Sequence, residues 1–298
     1  MLNQLIIKTM PLVPKFMIHQ VAKKYIAGDV LQDAVNKTLE LQKEGGWSTI
    51  DVLGEFVDNK ERALHEKAMS SKVLDAINDN KLHSYLSIKP TSLGLGIDVK
   101  FSYLNIKELL QKSREFGLNV CIDMENSPYT DKTIDLYRRF RDEGFDNVSI
   151  VIQAYMRRSY KDIESLLSYK PSIRLCKGIY KEAPEIAYQE KQEVRDNYKK
   201  LFELIVENKM YIGIATHDEE LINYAEERIK SLGMKKEEYE FQMLLGVRED
   251  RRSELLRQGH HLRVYVPFGV DWYGYSTRRL KENPQIAGHI FKAIFTNK

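Results

Sequence analysis

The residues able to do chemistry in this chain sit inside or just beyond short apolar runs. Glu55, Lys89, Asp123 with Glu125, Gln153, Arg174 with Lys177, Thr216-His217-Asp218, Gln242 and Tyr265 each follow or interrupt a stretch rich in Val, Ile, Leu and aromatic residues. One charged residue at a strand end is ordinarily a solvated loop residue. Eight such positions in succession describe a ring of polar groups at one end of a sheet, where barrel enzymes gather their catalytic residues. Lys89, Arg174, Lys177 and the adjacent Arg278-Arg279 would give that ring a positive well, suited to a carboxylate, to phosphates or to both. The densest segment is 265–284, YVPFGVDWYGYSTRRLKENP. Asp271 and Tyr273 precede a helical pattern that carries Tyr275, Arg278, Arg279 and Glu282 on nearly one face. Two readings fit that spacing. Neighbouring guanidiniums can grip a planar carboxylate through forked hydrogen bonds. A solvated helix with an Arg278–Glu282 pair, worth roughly a few tenths of a kcal/mol, has the same pattern.

Other chemistries lack their signatures. The chain contains no Walker loop, HExxH, CxxC or GxSxG. Gly94-Leu95-Gly96 offers two of the three glycines of a dinucleotide fingerprint and reads as a flexible loop after the second strand. His260 and His261 are adjacent and point different ways, so no metal site is expected. Cys121 and Cys176 lie in apolar runs and read as buried free thiols. The 298 residues carry 46 Lys+Arg and 43 Asp+Glu, a net charge of +3. No stretch interleaves dense Lys/Arg with aromatics, so no nucleic-acid partner is expected. There is no run of about 18 apolar residues, and the first residues lack a signal-peptide pattern, which points to a cytoplasmic protein.

The elements that must position these groups alternate. Candidate strands are 49–53, 84–89, 119–124, 148–154, 172–177, 211–216, 240–244 and 262–268. Between them, 106–116, 132–143, 161–168, 185–208, 218–232 and 248–257 show helical spacing. Asn105 reads as the cap of the first, Gly117 and Gly144 follow the first two, and Asp218 opens the fifth. Successive strands begin near the roughly 30-residue interval of a βα unit. The order fits an α/β (βα)8 barrel or an open doubly wound sheet. Length alone allows one barrel or two smaller domains. Residues 1–45 fall outside the repeat and read as a helical arm, with residues 46–298 as the barrel domain. Lys8, Lys15, Lys23 and Lys24 make that arm basic, which fits packing on the barrel or contact with a membrane surface.

Seven ordered segments carry a resemblance: SIKPTSLG (87–94), CIDMEN (121–126), RLCKGIY (174–180), IATHD (214–218), EFQMLLG (240–246), LRVYVPFG (262–269) and YSTRRLKENP (275–284). Together they resemble the proline dehydrogenase family, in its bacterial monofunctional form. The resemblance implies a distorted (βα)8 TIM barrel whose last helix covers the mouth. It implies oxidation of L-proline to Δ1-pyrroline-5-carboxylate, with non-covalent FAD as hydride acceptor. Arg278, Arg279 and Lys89 would clamp the proline carboxylate. Tyr265, Tyr275, Leu244 and Tyr180 would wall the ring pocket. Tyr265 favours proline over 4-hydroxyproline, because hydroxyproline-using relatives carry a smaller residue there. Asp123 and Arg174 match the residues critical for catalysis, with Arg174 near flavin N5 and Asp123 orienting Lys89 or Arg174. FAD contacts would come from Met124, Gln153, Arg174, Lys177, Gly178, Ile179, Thr216, His217 and Glu282. Glu55 would pair with Arg278 as a gate. Lys181 stands where many relatives carry an aromatic residue. A quinone acceptor, peripheral contact with the inner face of the cell membrane and a separate pyrroline-5-carboxylate dehydrogenase complete the expectation. Two rival readings share the barrel: an aldolase using Lys89 or Lys177 as a Schiff-base nucleophile, and a non-enzymatic amino-acid-binding barrel.

Overall fold

Strands apolar on one face and polar on the other need helices over the apolar face. The computed structural model describes residues 23–282, with side chains for 23–277. Its elements run α1 (Leu31–Lys43), β1 (Trp47–Val52), α2 (Lys60–Asp79), β2 (Ser84–Ile88), α3 (Val99–Glu115), β3 (Val120–Ile122), α4 (Ser127–Asp142), β4 (Val148–Gln153) and α5 (Ser159–Glu164). They continue with β5 (Ile173–Cys176), α6 (Lys191–Glu207), β6 (Ile212–Ala215), α7 (Glu219–Leu232), β7 (Tyr239–Leu244), α8 (Glu249–Arg257), β8 (Leu262–Phe268) and α9 (Trp272–Glu282). Each strand pairs in parallel with the next, and β8 closes on β1 in the register Trp47↔Arg263 to Val52↔Phe268. The sheet is therefore a closed barrel, and the open doubly wound alternative is excluded.

The registers sort the strand residues into two sets. Ile50, Leu86, Val120, Ile150, Ile173, Ile212 and Phe241 share one face and form the core under the helices. The other face lines the lumen, and it is polar. Glu240 accepts from Arg263 Nε at 2.7 Å and Nη2 at 2.9 Å. Arg263 Nη1 donates to the Ser48 carbonyl at 2.6 Å, and its guanidinium lies 3.7 Å from the Tyr85 ring centre. A buried ion pair is tolerable only when its remaining donors are satisfied, as these are. Gln242 links this layer to the mouth. It donates to Glu240 at 2.6 Å and accepts from Arg174 Nε at 2.7 Å. Gly213 leaves the space for it: a Cβ there would stand 2.4 Å from Gln242 Nε2.

Several local expectations shift. The α3 helix starts at Val99, capped by the Asp98 side chain on the Phe101 amide at 2.6 Å. Asn105 is buried inside that helix and donates to the Leu93 carbonyl at 3.1 Å, so it is no cap. The α4 helix begins at Ser127, with proline in its first turn. The α6 helix starts at Lys191 rather than Glu185, because Ile186–Tyr188 instead bond to Tyr155 and Arg157 in an antiparallel bridge. The sequence pattern did not single out α2, whose inward positions include Glu66 and Ser70 among its apolar ones. Gly94–Gly96 is no flexible loop but a packed turn. Gly94 has φ +95°, and a Cβ there would meet the Phe101 ring at 2.7 Å. Cys121 is a buried free thiol, whereas Cys176 is half-buried. Tyr273 lies within α9, not ahead of it. Of the arm, residues 31–43 are helical and pack on β1 and β8 through Ala34, Val35 and Leu41, while 23–30 are turn and extended chain. Lys8 and Lys15 lie outside the described residues.

Candidate active site

Asp123 follows β3, and its amide continues the sheet by bonding the Ile88 carbonyl at 2.9 Å. That places its carboxylate in the lumen among groups from three other strands. Oδ1 accepts from Ser87 Oγ at 2.8 Å and from Arg174 Nη1 at 2.7 Å. Oδ2 accepts from the Tyr265 hydroxyl at 2.8 Å and lies 3.7 Å from Lys89 Nζ. Lys89 in turn donates to Asp51 at 2.6 Å and to the Tyr265 oxygen at 3.2 Å. Bonds between strands so far apart in the sheet can only cross the lumen.

The electrostatics follow from burial. Lys89 is 7% exposed and Arg174 8%. Burial opposes the Lys89 charge, but Asp51, Asp123 and Glu55 outweigh it and hold the ammonium well above its usual range. Burial pushes the Asp51 carboxyl up, while the Lys89 ammonium 2.6 Å away pulls it down and favours its charged form. Burial and the Asp123 carboxylate push the Tyr265 phenol well up, so it remains a donor. Two cations are thus matched by two carboxylates. Asp51 was missed by sequence reasoning, although a carboxylate inside the apolar run TIDVL is itself a signal that something cationic faces it.

A buried strut supports the loop after β1. Glu125, 1% exposed, accepts from the Thr91 amide at 2.9 Å and from the Thr91 hydroxyl. Burial pushes this carboxyl up to about 7. Thr91 Oγ1 also accepts from the Phe56 amide at 3.0 Å. Phe56 is left-handed, φ +53°, a conformation that costs a non-glycine residue about 1–2 kcal/mol and needs such a hold. Its neighbour Glu55 is half-buried in the same loop.

The ends of β4, β5 and β6 carry a second group. Gln153, 3% exposed, donates to the Glu125 carbonyl at 2.9 Å. Lys177 pairs with Asp218 at 3.0 Å, and Arg195 of α6 shares that carboxylate. Asp218 therefore precedes α7 without capping it by its side chain. Gly178 has φ +102°, and a Cβ there would lie 2.1 Å from the Tyr155 ring. Ile179 is half-buried beside it, Thr216 is buried, and Met124 is buried at the β3 end. His217 Nε2 accepts from the Leu244 amide at 2.8 Å, which fixes that nitrogen as unprotonated. The donor set here, cationic Arg174 and Lys177 beside a glycine turn, fits a flavin dinucleotide. Buried polar atoms without a protein partner, Asn126 Oδ1 and Tyr155 OH, follow β3 and β4 on the same side.

The wall residues separate. Tyr275 and Leu53 pack with Tyr265 and Trp272 in a cluster apart from the main core, and Leu244 stands beside Tyr265 in the sheet. Tyr180 instead packs on Tyr155, Met156 and Ala187, and Lys181 is exposed. The α9 backbone carries Arg278, Arg279 and Glu282, whose side chains lie outside the described ones. Among the described residues no helix is long and apolar enough to cross a membrane.

Residues 34–290 match the sequence model of the family described as proline dehydrogenase. The chain is 39% identical to proline dehydrogenase 2 of Bacillus subtilis over 92% of this chain and 90% of that protein. It is 33% identical to the proline dehydrogenase of Deinococcus radiodurans over 92% and 89%. The chain belongs to the proline dehydrogenase family. The family consists of oxidoreductases and is flavin-dependent in general. Among solved structures, proline utilization A from Bdellovibrio bacteriovorus, inactivated by N-propargylglycine, matches with a TM-score of 0.84 and 23% identity. That match covers 94% of this chain but 34% of the other, so the chain spans about a third of it. It bears out the barrel read from the eight-unit repeat.

Proposed function

We propose that this chain oxidises L-proline to Δ1-pyrroline-5-carboxylate, using non-covalent FAD. Loss of a hydride from ring C5 and a proton from nitrogen forms the C=N bond, and FAD, when bound, would supply the two-electron acceptor for that hydride. One observation carries the reading. Asp123 binds Arg174 and Tyr265 and lies within 3.7 Å of Lys89 at the barrel mouth. Asp123 would thus be a positioning residue, holding one cation on each of its oxygens' sides. Because Asp51 and Asp123 already balance Lys89 and Arg174, the substrate carboxylate needs further positive charge, which Arg278 and Arg279 would supply. Lys89 completes the clamp, and Tyr265, Tyr275 and Leu244 exclude water around the ring, whereas Tyr180 packs with Tyr155 and Met156 apart from them. Met124, Gln153, Arg174, Lys177, Gly178, Ile179, Thr216, His217 and Glu282 would hold the FAD, with Glu55 gating the mouth against Arg278.

In this reading residues 46–298 are the catalytic barrel and 1–45 the arm. Electrons pass on to a quinone at the inner face of the cell membrane, with Lys23 and Lys24, both exposed, among the basic contacts. A separate pyrroline-5-carboxylate dehydrogenase consumes the product. The aldolase reading is disfavoured at Lys89, because a Schiff-base nucleophile must lose its proton and this amine is held charged. The test is anaerobic addition of L-proline to the flavin-loaded protein. Bleaching of the flavin spectrum is expected. An unchanged spectrum with L-proline would overturn the reading.

A further inference from the structure

The segment ahead of α1 packs at the mouth end of the barrel, beside the ends of β7 and β8. We infer that Tyr25 and Ile26 are part of the substrate pocket wall and set the ring size that it admits. The inference rests on the proposed proline oxidation. Tyr25 and Ile26, 1% and 3% exposed, pack with Leu53 and Tyr275 and against half-buried Tyr265, Val247 and Trp272. These partners come from the loops after β1 and β7, from β8 and from α9, all at one end of the barrel. The Tyr265 hydroxyl is 2.8 Å from Asp123. The cluster to which the segment belongs thus reaches the central carboxylate through one ring, that of Tyr265.

Its position is held by backbone. Ala27 donates to the Pro267 carbonyl at 2.9 Å, and Gly269 donates to the Gly28 carbonyl at 3.0 Å. On the other side Gly246, φ +73°, accommodates the chain: a Cβ there would stand 2.0 Å from the Lys24 carbonyl oxygen. Val30 and Asp33 lock the turn into α1 through the Val30 amide on Asp33 Oδ2 at 3.2 Å. A segment pinned on both flanks cannot retreat to make room for a larger ligand. Its two buried side chains, a phenol ring and an aliphatic chain, belong to a cluster that contains two of the residues expected to wall the ring. An apolar wall of this kind discriminates by a methylene, typically 10–200-fold.

The test compares L-proline with its six-membered-ring analogue, pipecolate, on the flavin-loaded enzyme. Ile26→Ala and Tyr25→Ala should raise KM for proline about tenfold, with kcat changed less than about threefold. They should also raise the pipecolate-to-proline ratio of kcat/KM by about tenfold, as for a pocket enlarged by one or more methylenes. Gly246→Ala, which displaces the segment without altering either side chain, should move the ratio the same way. Should the alanine variants fail to fold, Ile26→Val is expected to give a smaller shift of the same sign. Leu201→Ala, a core substitution remote from the mouth, lowers stability and leaves the ratio unchanged. A ratio unchanged in Ile26→Ala, or in Ile26→Val where only that folds, overturns the inference. If the parent enzyme itself does not turn over proline, the proposed function fails instead.

Discussion

Consider Asp123→Asn, a substitution that keeps the shape of the side chain and removes its charge. Asn can still accept from Ser87 and from Arg174 through one oxygen, where the carboxylate accepted at 2.8 and 2.7 Å. It must then turn an NH2 group toward the Tyr265 hydroxyl, which donated at 2.8 Å, and toward Lys89 Nζ at 3.7 Å. A bond to a charged acceptor contributes about 1.5–3 kcal/mol and a neutral one about 0.5–1.5, so the Arg174 bond weakens by about 1 kcal/mol. Leaving the buried phenol reversed or unsatisfied costs about 1–3 kcal/mol more. A total of about 2–4 kcal/mol corresponds to roughly 30- to 900-fold in kcat/KM if the transition state depends on this arrangement. The assay is proline-dependent dye reduction at matched flavin content, with Tm measured alongside. Asp123→Ala should also unfold at lower temperature, since breaking a buried ion pair costs about 3–5 kcal/mol. A kcat/KM for Asp123→Asn within threefold of the parent, with flavin retained, would refute the central role given to this carboxylate.

Two further outcomes are expected. Glu125 holds its proton up to about pH 7 in the folded protein, against 4.5 for an unburied carboxyl. Between those values the unfolded chain has released a proton that the folded one keeps, so stability falls as pH rises through the window and levels off above it. Glu125→Gln lacks that loss and should exceed the parent by up to about 3 kcal/mol at pH 8 and by little near pH 4.5; a Tm difference independent of pH would count against the buried strut. Gly213→Ala should cost about 1–3 kcal/mol by driving its new methyl into Gln242. A double-mutant cycle with Gln242→Ala checks this, and additive losses would show that the two do not compete for space.

The strand residues were legible because short runs rich in Val, Ile, Leu and aromatic residues stand out between longer stretches of helical spacing. All the strands lie within a few residues of their expected limits, and 262–268 agrees at both ends. Gly117 and Gly144 were readable as helix stops, and both have positive φ. Asn105 misled because its preference for caps is local, whereas the Leu93 carbonyl that holds it comes from a packed turn twelve residues back. The long helix α2 was hidden by Glu66 and Ser70 on its buried side. Most of the polar ring was visible as charges at strand ends. Asp51 was not, since its meaning depends on Lys89, 38 residues away.

Two things about this protein were determined by sequence alone. The alternation of short apolar runs with helical spacing, at intervals near 30 residues, points to βα units, since each element must bury its apolar side, and the ordered segments from 87 to 284 carry the family resemblance. Only the tertiary structure decided that the sheet closes, because closure depends on β1 meeting β8 across more than 200 residues. Closure turns one face of every strand inward. That is why Asp123 touches Arg174 and Tyr265, and why Lys89 is buried yet charged. It also decided that the segment at Tyr25 packs at the mouth end of the barrel, a contact that no local pattern could encode.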